Sequence, residues 1–97
     1  MVKIKQVLVV EDEEVIRNSL QRLMERHNYQ VNGASSVKEA LEKYELNDFD
    51  VIISDLRLPG APGTDLIKVT KTPVLIMTSY SSIRSAIDSM KMGAVDY

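Results

Sequence analysis

Four consecutive acids at positions 11–14 follow directly on the apolar stretch QVLVV. Crowded carboxylates repel one another and destabilise a compact chain unless a positive charge is nearby. Two more reactive side chains stand at the ends of later apolar stretches: Asp55 follows VIIS, and Thr78 closes VLIMT. If those stretches are neighbouring parallel strands, three carboxylates and one hydroxyl meet at the same edge of a sheet.

Such a group of oxygen atoms suits a hard divalent cation. Mg²⁺ prefers oxygen ligands in an octahedron, usually one or two carboxylates together with waters and a phosphate. Asp55 could then act as a nucleophile, because carboxylates form acyl phosphates in enzymes. Phosphoryl transfer mainly requires positioning and charge neutralisation, which a metal ion and the Thr78 hydroxyl could supply.

A simpler interpretation of the acids stands beside this one. Acidic residues before a helix often only interact with the helix dipole, which stabilises the helix by roughly 0.3–1 kcal/mol. We prefer this interpretation for Glu13 and Glu14. For Glu11 and Asp12 alone the two interpretations are balanced, and it is the presence of Asp55 and Thr78 at matching strand ends that favours the functional site.

The elements that must position these residues alternate along the chain. Continuously apolar segments suit parallel strands that are covered on both faces. Segments with apolar residues at i, i+3 and i+4 suit amphipathic helices. The order is βαβαβαβα, which predicts a parallel sheet with helices on both faces and a functional edge at the carboxyl ends of the strands. The predicted strands are 6–10, 29–34, 51–54 and 74–78, and the predicted helices are 14–26, 36–44, 64–70 and 83–90.

Several residues are typical of helix ends. Ser36 and Glu39 have the spacing of a capping box, and Thr64 is a candidate N-cap for the third helix. Asn28 and Gly93 are candidates to end the first and the fourth helices. The side chains expected on the buried faces include Leu41 in the second helix and Leu66, Ile67 and Val69 in the third.

Composition limits the possible functions. A chain of 97 residues predicts one domain, 1–97, and a net charge of −2 gives no general attraction to nucleic acid. The chain has no cysteine, which excludes disulfides and thiolate metal sites. The apolar runs are too short to cross a bilayer, and the N-terminus does not resemble a signal peptide. We therefore expect a cytoplasmic protein without direct contacts to nucleic acid or membrane.

Four motifs in order, VLVVEDEE, SDLRLPG, LIMTSY and KMGAVDY, resemble the receiver domain of bacterial response regulators. The amino-acid sequence of these motifs is most similar to that of receivers of nitrogen-regulation-type transcription activators. The resemblance implies a flavodoxin-like, doubly wound parallel sheet. It also implies that the sequence covers a (βα)₄ unit, with the fifth strand and helix of the family missing.

The resemblance also implies roles for individual residues. Asp55 is the residue that a histidine kinase phosphorylates. Glu11 and Asp12 are the acid pair that holds Mg²⁺ together with Asp55, and the backbone carbonyl of Arg57 completes the protein ligands. Thr78 is the hydroxyl that closes on the phosphoryl oxygens.

The C-terminal end of the sequence departs from the family pattern. By the resemblance, Tyr97 is the aromatic residue that moves with the hydroxyl. The family lysine that pairs with the phosphoryl group would fall beyond Tyr97. Without that point charge on the phosphate, we expect weaker phosphorylation or a weaker response to it.

The missing fifth strand predicts an interface. Segment 74–78 would be an apolar, uncharged edge strand, and such an edge invites pairing with another chain. We therefore predict a homodimer through the edge of the fourth strand, formed by edge pairing or by exchange of elements. The alternative is that the sequence is a fragment of a longer chain. Sedimentation that shows a stable monomer at micromolar concentration would rule out the homodimer.

Three functions compete. The first is a phosphoacceptor module that switches its contacts and catalyses only its own phosphorylation and dephosphorylation, so it is not an enzyme in the usual sense. The second is a truncated receiver, impaired in switching, that acts through dimerisation or by competing for a kinase. The third is a metal-dependent phosphoesterase. It is disfavoured because such sites use the pattern Asp-x-Asp, whereas here Arg57 occupies the position of the second aspartate ligand, two residues after Asp55.

Overall fold

The computed structural model describes residues 5–55, 58 and 60–77. Its four strands are β1 (Gln6–Val10), β2 (Gln30–Ala34), β3 (Val51–Asp55) and β4 (Val74–Met77). Its helices are α1 (Glu14–Arg26), α2 (Val37–Lys43) and two 3₁₀ helices, η1 (Leu46–Asp48) and η2 (Gly63–Lys68). The predicted fourth helix, its end at Gly93 and the side chains of Arg57, Thr78 and Tyr97 lie outside the described residues.

The four strands form one parallel sheet in the order β2-β1-β3-β4. The register aligns the strand ends, because Val10 lies opposite both Ala34 and Ser54. Asp55 lies opposite Met77 in β4. The residues that follow β1 and β3 therefore lie side by side, as the strand-end argument predicts.

Successive residues of each strand point to opposite faces of the sheet, and each face has its own core. Helix α1 covers one face through Leu20 and Met24, while α2 and η2 cover the other. This arrangement confirms the doubly wound parallel fold that the alternation of elements predicts. The strand residues on the α1 side are Val7, Val9, Val51, Ile53, Leu75 and Met77, and those on the α2 side are Leu8, Val10, Ala34 and Ile52.

Two helix ends follow the sequence signals. Asn28 adopts a left-handed conformation, with φ of 70°, directly after α1, as expected for a residue that ends a helix. Ser36 Oγ accepts a hydrogen bond from the Glu39 backbone N–H at 3.0 Å, and N-caps of this kind typically stabilise by about 1 kcal/mol. Only this half of the capping box is formed, because the Glu39 carboxylate accepts from the Ser35 hydroxyl at 2.6 Å instead.

The prediction for the third helix was wrong in its cap and its buried face. The segment forms η2, whose N-cap is Pro62 without a side-chain bond, so Thr64 lies inside the helix. A 3₁₀ helix repeats every three residues, which places Gly63 and Leu66 together on the buried side. Ile67 is the next residue along and is therefore exposed, as is Val69 beyond the end of the helix.

Helix α2 also buries less than the apolar pattern predicts. The helix has only seven residues, and its buried positions are Val37 and Ala40. Leu41 is 48% exposed. The described part of the chain contains no helix with the length and apolar character needed to span a membrane.

Candidate metal centre

Three acidic side chains meet at the carboxyl ends of β1 and β3. Glu11 and Asp12 follow directly on β1, and Asp55 is the last residue of β3. Because β1 and β3 are hydrogen-bonded neighbours, their ends present these side chains to the same space. Each of the three residues offers a carboxylate oxygen, and these oxygens all lie within 4.8 Å of one another.

The three carboxylates differ in their exposure to solvent. Glu11 is buried, with 3% of its surface exposed, while Asp55 is half-buried and Asp12 is exposed. The group of carboxylates is therefore buried in the protein at Glu11 and open to water at Asp12. A cation could enter from that side and keep several of its waters, as Mg²⁺ usually does in proteins.

The electrostatics of Glu11 reflect this crowding. Burial, together with the neighbouring carboxyl groups of Asp55 and Asp12, raises the pKa of Glu11 to about 7. The backbone N–H of Glu13 donates a hydrogen bond to Glu11 Oε1 at 3.2 Å and opposes the increase. The ionised form of Glu11 is thus destabilised in the metal-free protein, and a bound cation would relieve that cost.

The backbone around Glu11 is held from two directions. Its N–H donates to the Ala34 carbonyl of β2 at 3.0 Å, and its own carbonyl accepts from Arg17 Nη1 at 2.8 Å. Arg17 was not predicted from the sequence to contact the site. It is a basic residue in the first turns of a helix that begins with acids, and basic residues in such positions are common on solvated surfaces.

The donor set fits Mg²⁺, because all three side chains supply oxygen and none supplies sulfur or nitrogen. A bound ion would supply positive charge beside the Asp55 carboxylate. Glu11, Asp12 and Asp55 would hold it. Their convergence agrees with the sequence argument, whereas their roles as ligands stay predictions, as do the roles of Arg57, Thr78 and Tyr97.

Comparison with known proteins identifies the family. The sequence matches the family model described as the response regulator receiver domain over residues 7–97. The chain belongs to this family. It is a receiver domain of the response regulators of two-component systems, and it has the parallel sheet with acids at its carboxyl edge.

Curated relatives of this receiver domain are named as transcriptional regulatory proteins or response regulator proteins. It is 38% identical over 96 residues to the transcriptional regulatory protein ZraR of Klebsiella oxytoca, which covers 94% of this chain. It is 36% identical over 98 residues to the response regulator protein PilR of Pseudomonas aeruginosa, which covers 96% of this chain. In both cases the chain spans 22% of the relative's length.

Solved receiver structures have the same fold. A response regulator receiver domain protein from Clostridium thermocellum superposes with a TM-score of 0.73 at 33% identity, covering 97% of this chain and 80% of that one. The chemotaxis response regulator CheY4 of Vibrio cholerae gives a TM-score of 0.72 at 30% identity, covering 95% of this chain and 82% of that one. The flavodoxin-like fold that the motifs imply is therefore confirmed.

Proposed function

We propose that this receiver domain accepts a phosphoryl group on Asp55 from a histidine kinase and then changes its contacts with other protein surfaces. Mg²⁺ would be held by Glu11, Asp12 and Asp55, with the backbone carbonyl of Arg57 as a further ligand. One observation carries the proposal: carboxylates from two neighbouring strand ends lie within 4.8 Å of one another around a buried glutamate.

The chemistry proposed for Asp55 is a displacement at phosphorus. A carboxylate oxygen of Asp55 forms a bond to phosphorus while the bond from phosphorus to the donor atom breaks, and the donor leaves with that electron pair. Glu11 and Asp12 orient the cation that offsets the negative charge around Asp55. By family membership, Thr78 would close on the phosphoryl oxygens and Tyr97 would move with it.

The module is proposed to catalyse only its own phosphorylation and dephosphorylation, so it is not assigned as an enzyme. We place it in the cytoplasm, where histidine kinases present their phosphorylated residue, without direct contacts to nucleic acid or membrane. A homodimer through the β4 edge stays a prediction, because the residues that follow β4 lie outside the described part of the chain.

The function is tested by the metal dependence of phosphorylation. The protein is incubated with acetyl phosphate in the presence of Mg²⁺ or of EDTA, and its intact mass is followed over time. We expect a mass increase of one phosphoryl group with Mg²⁺ and at least about a tenfold slower reaction in EDTA, because the uncompensated carboxylates repel the phosphate.

Other outcomes separate the competing functions. Mg²⁺ binding without any adduct would contradict phosphoryl acceptance and favour a receiver that acts only as a binding module. Hydrolysis of a phosphodiester such as bis(p-nitrophenyl) phosphate would instead support a metal-dependent phosphoesterase.

A further inference from the structure

We propose that Gly63 is a positioning residue for Asp55. The absence of a side chain at Gly63 allows the start of η2 to pack directly on the main-chain carbonyl of Asp55, and this contact aims the Asp55 carboxylate. The inference rests on the proposed phosphoryl acceptance at Asp55 and adds a residue that acts through the backbone and not through the metal or the phosphate.

The space around Gly63 is the first line of support. Gly63 is buried, and a Cβ built on it would overlap the carbonyl oxygen of Asp55. The same Cβ would lie 2.5 Å from Ser54 Oγ and 3.3 Å from the carbonyl carbon of Asp55. The carbonyl atoms belong to the end of a paired strand, so they cannot yield as the tip of a flexible side chain would. Glycine is therefore the residue that fits without moving β3.

The carbonyl of Asp55 is connected to the direction of its carboxylate. The carbonyl oxygen lies in the rigid peptide plane that follows Asp55, so its position sets the ψ angle of that residue, and ψ limits the side-chain rotamers that Asp55 can adopt. A second group holds the same atom, because the Ser54 hydroxyl donates a hydrogen bond to it at 3.0 Å. Ser54 is fully buried, so its hydroxyl remains next to this carbonyl.

Asp55 is thus held from both sides. On the strand side, β3 pairs with β1 and β4, with Asp55 opposite Met77. At the carbonyl of Asp55, Gly63 of η2 and the hydroxyl of Ser54 lie in close contact with the oxygen. A misplacement of about 1 Å at a reacting group can reduce a rate about 10²-fold, so a contact that shifts this carbonyl should be visible in kinetics.

Gly60, in the segment between β3 and η2, provides a matched control. Gly60 has φ of 85°, but a Cβ built on it would have no atom of the described residues within 4 Å, apart from its chain neighbours. Its requirement concerns backbone conformation, and asparagine tolerates this left-handed region better than other side chains do. Gly60→Asn therefore changes the loop without pressing on Asp55.

The experiment compares three variants of the full chain. Gly63→Ala is measured beside Gly60→Asn and beside Val51→Ala, which removes buried methyl groups at the opposite end of β3. Two quantities are determined for the folded fraction of each protein. These are the rate constant of adduct formation at saturating Mg²⁺ and acetyl phosphate, and the Mg²⁺ dissociation constant from calorimetry without acetyl phosphate.

We expect Gly63→Ala to slow adduct formation about tenfold or more and to weaken Mg²⁺ binding at least about threefold, because Asp55 serves both processes. Both controls should stay within about twofold of the wild type. Wild-type values in a folded Gly63→Ala protein would overturn the inference. Equal losses in Val51→Ala would also overturn it, since they would reflect general stability.

Two other outcomes would still decide the inference: a Gly63→Ala protein that does not fold, and a wild type that forms no adduct. If Gly63→Ala does not fold, the rate of adduct formation is measured in Ser54→Ala instead, because this change removes the hydroxyl that binds the Asp55 carbonyl. A loss of about threefold in rate supports the inference, and an unchanged rate overturns it. If the wild type forms no adduct, the proposed function fails, and the Mg²⁺ measurement alone decides: weaker binding in Gly63→Ala supports a positioning role, and equal binding rejects it.

Discussion

Asp55→Asn is expected to abolish the Mg²⁺-dependent phosphoryl adduct, leaving less than about one hundredth of the wild-type amount after the same incubation. The amide has no anionic oxygen that could form the bond to phosphorus. It also removes one of the three negative charges that surround the proposed cation. Intact mass after incubation with acetyl phosphate and Mg²⁺ measures the effect, and peptide mapping locates the adduct in the wild type.

A matched substitution shows whether the effect belongs to this aspartate. Asp65 lies in η2, and its carboxylate is 3.8 Å from Lys68 Nζ in an exposed ion pair. Asp65→Asn should therefore form the adduct at the wild-type rate. An adduct that persists in Asp55→Asn would contradict the assignment. Transfer to the adjacent Ser54 is not expected, because that hydroxyl is fully buried.

Glu11→Gln is expected to stabilise the metal-free protein at neutral and higher pH, by about 0.5–2 kcal/mol, while removing most of the stabilisation by Mg²⁺. Glutamine keeps an oxygen that can accept the Glu13 N–H, but it brings no charge into the buried part of the site. Chemical denaturation with EDTA and with Mg²⁺ measures both effects. Mg²⁺ should raise the free energy of unfolding of the wild type and leave that of the variant nearly unchanged.

In EDTA, the stability difference between Glu11→Gln and the wild type depends on pH, and the pKa of Glu11 gives the sign of that dependence. The pKa of Glu11 is about 7 in the folded protein, against 4.5 in the unfolded chain. A raised pKa in an acid means that the folded state favours the neutral form, so the stability due to Glu11 is present below pH 4.5 and is lost as the pH rises through 7. In EDTA, the advantage of Glu11→Gln should therefore grow between these two pH values.

The control for this prediction is the neighbouring acid Glu13. Its side chain is exposed and lies outside the group of three carboxylates. Glu13→Gln should leave both the stability in EDTA and the response to Mg²⁺ close to those of the wild type. A stability gain of equal size in Glu13→Gln would mean that the net charge of the chain, and not the buried carboxylate, is responsible.

Local patterns were sufficient to predict much of the fold. Apolar runs such as VLVV and VIIS correspond to strands covered on both faces, and the observed bounds of α1 are those that its periodicity predicts. Ser36 and Asn28 act at their helix ends as their types indicate, because capping depends on atoms only a few residues away. Signals of this kind are local, so they can be read from one stretch of sequence.

The short elements were predicted less well, because neighbours decided their form. Leu41 and Ile67 lie in apolar patterns, yet both are exposed. Helix α2 buries only Val37 and Ala40, and the three-residue repeat of η2 buries Gly63 and Leu66 in place of Ile67. The close approach of η2 to β3 at Gly63 involves atoms of Ser54 and Asp55, which belong to another element, so the sequence of η2 alone could not predict it.

By itself, the sequence determined the alternation of elements, the family motifs and the placement of acids at the carboxyl ends of two strands. Only the tertiary structure decided that β1 and β3 are neighbours, that Glu11 is buried while Asp12 is exposed, and that Gly63 lies against the Asp55 carbonyl. The physical reason is that burial, pKa and close contact depend on residues from other elements, which are distant in sequence and near only in the folded chain.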